Sequence, residues 1–181
     1  MPPGFHITTS PSVLLYHPGA RAEGEFEVAT DGFLFRGDSP HGYGLFVGGR
    51  DLADDEAAWI SFEIALDGTW VVRRREYRGQ EQGFAVVDLV GPEPGPIVVP
   101  GEEQTARNAI AVVAGSEHVE FRINDETVAT LPRADLHVDG VTGFRVGAGM
   151  NLHLISLVIR SDGVTTEWAP QPAEPPEEGG A

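Results

Sequence analysis

In the stretch "VTGFRVGAGMNLHLISLVI", residues 141–159, Arg145, Asn151 and His153 interrupt an otherwise apolar run. An imidazole titrates near neutrality and can pass a proton, a guanidinium grips hydroxyls and carboxylates through a planar fork, and a carboxamide both donates and accepts. A second set has matching chemistry. "SFEIALDGTWVVRRRE", residues 61–76, offers Glu63, Arg73 and Arg75, and Arg50 closes "GYGLFVGGR". As fixed donors and acceptors these seven residues suit a saccharide or other polar small molecule. With Glu63 and His153 as an acid–base pair and the arginines stabilising developing anionic charge, they would equally serve a small glycoside hydrolase or lyase acting on modified sugars. Both readings stay open at this level.

The elements that must position these groups show period-2 alternation in short runs between turn residues, the mark of half-buried strands. Ile60, Phe62 and Ile64 alternate before Asp67-Gly68, and Trp70 and Val72 alternate after it, which predicts a hairpin. "NAIAVVAG" and "HVEFRINDETVATL" predict two more strands meeting across Ser116-Glu117, with Val119, Phe121 and Ile123 inward and a further turn at Asn124-Asp125. Leu45 and Val47, Phe144 and Val146, and Leu152 and Leu154 complete the expected core. After Leu154 the parity slips, so a bulge is expected near Ile155-Ser156. Eight to eleven strands with almost no helical periodicity give an all-β fold, an antiparallel two-sheet jelly-roll sandwich. Because core residues alternate with the polar ones, Arg145, Asn151 and His153 are expected to share one sheet face, and Glu63, Arg73, Arg75, Arg145 and His153 to line one continuous concavity. Residues 90–104, with four prolines, are expected to form a long surface loop. A single domain is expected over 1–168, and a disordered Pro- and Glu-rich tail over 169–181.

The 181 residues carry a net charge of −16, and all 12 basic residues are Arg. That field repels phosphate backbones and anionic bilayers, so neither nucleic acid nor membrane is an expected partner. With no Cys there is no thiolate nucleophile and no Cys-ligated zinc. No charged and apolar leader opens the sequence as given, which reads as cytoplasmic, or extracytoplasmic if a signal peptide was removed earlier. No cofactor is expected. "DLHVDG", with Asp135, His137 and Asp139, reads as a polar turn, and "DLADDE", with Asp51, Asp54, Asp55 and Glu56, offers oxygen ligands for a structural calcium ion.

In order along the chain, "GYGLFVGGRDL", the Asp-Gly hairpin, "HVEFRIN" and "DGVTGFRV" resemble the concanavalin A-like lectin/glucanase superfamily. The resemblance covers roughly residues 20–160 and is strongest to LamG-like bacterial domains allied to those labelled 3-keto-disaccharide hydrolases. It implies a jelly roll with one concave sheet whose outer face holds the ligand, and LamG-like relatives often carry calcium. It fixes no chemistry, because that superfamily holds lectins, glycosidases and lyases alike. Where an Asn-His pair is expected after "RV", this chain has Gly147-Ala148, so no role of such a pair carries over.

Overall fold

A computed structural model describes residues 3–101 and 105–169. Strands numbered β1 to β14 in chain order form two antiparallel sheets, and a 3-10 turn at Arg133–Asp135 is the one helical element among the described residues. The six-stranded sheet runs, edge to edge, β2 (Val13–Ala22), β11 (Gly140–Val146), β4 (Gly42–Arg50), β5 (Ala58–Ala65), β6 (Thr69–Tyr77) and β7 (Phe84–Pro94). The eight-stranded sheet runs β1 (Phe5–Thr8), β12 (Asn151–Leu154), β3 (Phe26–Leu34), β8 (Ala106–Ala114), β9 (His118–Ile123) and β10 (Glu126–Pro132). Beside β3 lies β13 (Leu157–Ser161), which also pairs with β14 (Val164–Trp168). The fold class is therefore as expected, with more strands than the alternation alone revealed.

The turns follow local chemistry. Between β5 and β6, Gly68 takes a φ of 81°, open to glycine at little steric cost. The Asp67 carboxylate accepts from the Thr69 amide at 3.0 Å and its hydroxyl at 2.7 Å. These bonds hold the Asp67 carboxyl below its ordinary value. Asn124 and Asp125, with φ of 50° and 67°, make the paired left-handed turn from β9 to β10. Between β12 and β13 the expected bulge is present: Leu154 pairs with Gly32 and Val158 with Ala29, four steps against three.

Two expectations fail. The first concerns residues 90–104, where β7 continues through Pro94 as an edge strand. An edge strand tolerates proline because one of its rims needs no donor. The residues after it are pinned: the Asn108 side chain exchanges two bonds with the Val98 backbone, at 2.8 and 2.9 Å, and Asn124 donates to the Pro96 carbonyl at 2.8 Å. Residues 102–104 lie outside the described residues, as does all of the expected tail except Ala169.

The second concerns neighbours. β11 and β12 do not lie side by side but belong to different sheets. Residues 147–150 cross from one to the other, held by Thr9, whose hydroxyl donates to the Gly147 carbonyl at 2.6 Å and accepts from the Met150 amide at 3.0 Å.

All of the expected core residues are buried between the sheets. At their centre Phe62 meets Phe121 edge to face, with centroids 5.3 Å apart. Phe121 has no solvent exposure, so Phe121→Ala should lower the unfolding free energy by about 3 to 5 kcal/mol. Urea denaturation checks this, with an unchanged slope showing that the loss is one of stability alone.

Candidate functional site

The outer face of the six-stranded sheet carries an uncommon set of groups. Glu63 points away from the core, yet is only 4% exposed. A carboxylate on a solvent-side face is ordinarily well hydrated, so its burial there requires partners. Ser61 donates to Glu63 Oε1 at 2.7 Å, and Arg73 Nη1 stands 3.6 Å from Oε2. Arg73 Nε in turn donates to Asp88 Oδ1 at 2.8 Å. Strand pairing produces this row, since Ser61 lies opposite Arg73 and Arg73 opposite Asp88.

Beside the polar row runs an aromatic one. Phe46 lies between Tyr16 and Trp59, with ring centroids at 6.1 and 6.5 Å. Arg75 spans Trp59 and Phe84, at 4.9 and 4.2 Å from their ring centres. Its guanidinium donates to the Ala57 and Asp55 carbonyls, and burial lowers its pKa from the ordinary value. Gly44 lies buried between Arg145 and Glu63, and a Cβ there would collide with the Phe62 carbonyl oxygen. Arg145 donates through Nη1 to the Val146 and Val13 carbonyls, at 2.8 and 3.3 Å. Its other three donors make no hydrogen bond among the described residues.

The seven candidate residues therefore divide. Glu63, Arg73, Arg75 and Arg145 share the outer face of the six-stranded sheet, and Arg50 lies exposed at the end of its β4. Asn151 and His153 belong to β12 in the other sheet, on the opposite side of the sandwich. The single continuous concavity is thereby corrected. An acid–base pair of Glu63 and His153 is excluded by the same placement, since two stacked sheets, themselves about 10 Å apart, separate the outer faces. The reason is topological: alternation shows which way a side chain points within its strand, and the strand's sheet is set by the crossing at residues 147–150. His153, 7% exposed, sits against His6 and Phe33, with ring centroids 6.3 Å from each.

Sequence reasoning missed Tyr16, because β2 carries Pro18 and Gly19 and shows no clean alternation. It also missed Ser61 and Asp88 as partners, although the parity of the hairpin placed Ser61 outward. "DLHVDG" is a polar turn as expected, with Asp139 accepting from Arg133 and from the Gly24 amide. In the acidic turn at 51–56, Asp54 accepts from the Glu56 amide at 2.9 Å. Among the described residues no group of three or more His, Asp or Glu side chains is arranged to hold a metal.

No known protein family matches the chain, and no curated protein does. Solved structures share its fold. A carbohydrate-binding module, CBM66 from Bacillus subtilis, aligns with a TM-score of 0.58 and 12% identity, covering 87% of this chain and 92% of that one. A Bacillus subtilis protein of unknown function with a galectin-like fold gives 0.60 and 13%, covering 87% and 82%. The CBM40 module of a Ruminococcus gnavus sialidase, bound to α2,6-sialyllactose, gives 0.52 and 13%, covering 84% and 89%. At such identities the likeness is one of fold, a jelly-roll sandwich.

Removing Arg73 would leave the buried Glu63 carboxylate with Ser61 as its one close partner. Arg73→Ala should therefore cost on the order of 1 kcal/mol, tempered because the arginine side chain is 35% exposed. Adding Glu63→Gln should recover part of that loss. A double-mutant cycle in urea checks the coupling, and strictly additive effects would show that the pair does not interact.

Proposed function

We propose that this chain is a carbohydrate-binding module of the LamG-like kind, with its saccharide on the outer face of the six-stranded sheet. One observation carries the reading: the buried Glu63 carboxylate on a solvent-side face, fixed by Ser61 and by the Arg73–Asp88 pair. Groups held this way offer preorganised acceptors and donors to vicinal hydroxyls at little further entropic cost. Trp59 and Tyr16 supply apolar surface for the C–H face of a sugar ring. The solved structures that share the fold include two named as carbohydrate-binding modules, which supports the same reading. Arg145, fixed by two carbonyls, is the side chain best placed to present further donors. Binding of this kind needs neither proton transfer nor a metal.

A glycan array identifies the ligand, and titration of the best binder tests the face. Arg145→Ala should weaken binding by at least about 1.5 kcal/mol, the size of a charged hydrogen bond, and Trp59→Ala by a similar amount. His153→Gln, on the far sheet, should change affinity by less than about twofold, well under the 1.4 kcal/mol of a tenfold effect. Failure to bind any glycan, or equal loss in all three variants, would overturn the proposal.

The acidic turn gives a separate expectation. An ion bound only to the native state must raise the melting temperature. With no group of three or more acidic or His side chains converging there among the described residues, the melting curves in millimolar calcium and in excess chelator should coincide.

A further inference from the structure

Eight of the 12 arginines meet a carboxylate within ion-pair distance. Of the four that do not, Arg36 and Arg50 are exposed, and Arg75 lies between the Trp59 and Phe84 rings. Arg145 differs from all of these. It is partly buried, on a strand whose Phe144 and Val146 fill the core, and no carboxylate or aromatic ring among the described residues takes its charge. A guanidinium partly withdrawn from water gains from an anionic partner. Its hydrogen bonds show which edge is open. Nη1 donates to the Val146 and Val13 carbonyls at 2.8 and 3.3 Å, whereas Nε and Nη2 make no hydrogen bond among the described residues and neither is closed off from solvent. The Nε–H and the nearer Nη2–H lie parallel on one edge of the guanidinium, the fork that takes both oxygens of a carboxylate at once. A lone hydroxyl or ring oxygen fills only one of its two positions.

Strand pairing sets an apolar platform beside this fork. Arg145 lies opposite Leu14 on β2, and Tyr16, two residues further on, faces the same way. Such diagonal neighbours stand about 7 to 8 Å apart, the span of a pyranose ring with a substituent on it. Tyr16 is 39% exposed, and Phe46 braces it. On the other side of Arg145, Gly44 separates it from Glu63, whose carboxylate is already met by Ser61 and Arg73. The chain's net charge of −16 does not forbid an anion here. At physiological salt a charge is screened beyond about 8 Å, so a monosaccharide senses the face on which it lies while an extended polyanion senses the whole chain. The central rows of that face set Arg73, Arg75 and Arg145 against Glu63 and Asp88, an excess of one positive charge.

We infer that the ligand is a carboxylated saccharide, its ring resting on Tyr16 and its carboxylate on the free fork of Arg145, one oxygen accepting from Nε–H and the other from Nη2–H. The inference rests on the saccharide reading above and names the class of sugar. It also gives Arg145 a specificity role, choosing an acid over its neutral counterpart.

Calorimetric titration of the whole chain tests this. The probes are glucuronic acid, galacturonic acid and N-acetylneuraminic acid, the methyl ester of each, galactose 6-sulfate, and benzoate, which has a ring and a carboxylate but no sugar. The expected result is a sugar acid that binds at least about tenfold more tightly than its own methyl ester, the lower range for a charge-assisted pair. Whichever acid does so separates a hexuronate from a sialic acid. Arg145→Gln should bring that ratio to within about twofold, while Arg145→Lys, which keeps the charge and loses the fork, should leave an intermediate ratio. Tyr16→Ala should weaken acid and ester by the same factor and leave the ratio unchanged. Melting temperatures show that the variants fold. Should Arg145→Gln not fold, the ester ratio of the unaltered protein and the Arg145→Lys variant still decide.

Equal affinity for acid and ester, with both weakened by Trp59→Ala, overturns the inference while leaving the saccharide reading standing. An acid preference that survives Arg145→Gln does the same, because another group then takes the carboxylate. Tighter binding of the 6-sulfate than of every sugar acid also overturns it, since a tetrahedral oxyanion then fits better than a planar pair of oxygens. So does a best glycan-array ligand that carries no acidic group. Benzoate binding as tightly as the best sugar acid, with the same dependence on Arg145, overturns both readings and makes the fork a site for simple carboxylates.

Discussion

The contact of Phe62 with Phe121 across the interior governs what every outward residue can do. Both rings are essentially without solvent exposure, and their neighbours along each strand interlock in the same way. A slip of one residue in β5 would exchange Phe62 with Glu63, placing a carboxylate in the core and a phenyl ring in water. The penalty for that exchange fixes the parity of β5, and strand pairing passes it to β4 and β6. The polar row of Ser61, Glu63, Arg73 and Asp88 is thus held in place by an apolar contact on the other side of the same sheet.

Much of this was legible in the sequence, because alternation and turn chemistry are local signals. The inward residues of β5, β6 and β9 follow from period 2, and Asp67-Gly68 and Asn124-Asp125 mark their turns by residue type alone. What failed was non-local. Nothing within residues 141–154 states that the chain changes sheets at Gly147, since Thr9, which anchors that crossing, lies far away in sequence. Arg145 and His153 therefore share a parity without sharing a surface. β2 and the far end of β7 escaped notice for another reason: their prolines and glycines break the pattern, and they are tolerated because both strands lie at sheet edges.

The arginines show how residue type alone overstates a site. Arg73 spans two carboxylates, Arg75 fills the space between two rings while tying down the Asp55–Ala57 backbone, and Arg145 clasps two carbonyls. Each first serves to stiffen the face on which it stands. A sheet surface with so few free rotamers loses little entropy when something settles on it, which is a property of the whole row and of no single guanidinium.

The pairing of the chain's two ends has a consequence for how this domain is made. β1 pairs with β12, Phe5 opposite Leu154, and β2 pairs with β11, Val13 opposite Val146, so one early strand in each sheet waits for a late partner. Neither sheet reaches its full width until nearly all of the chain has been synthesised. The hairpins of β5–β6 and β8–β9 close small loops and can form early, while the outer strands must close loops of more than a hundred residues. Folding on such a topology belongs to the slower, high-contact-order regime of milliseconds to seconds. During that interval β3 and β4 stand as unpaired edges, so the newly made chain is at its most vulnerable to pairing with its own neighbours just before β11 and β12 are made.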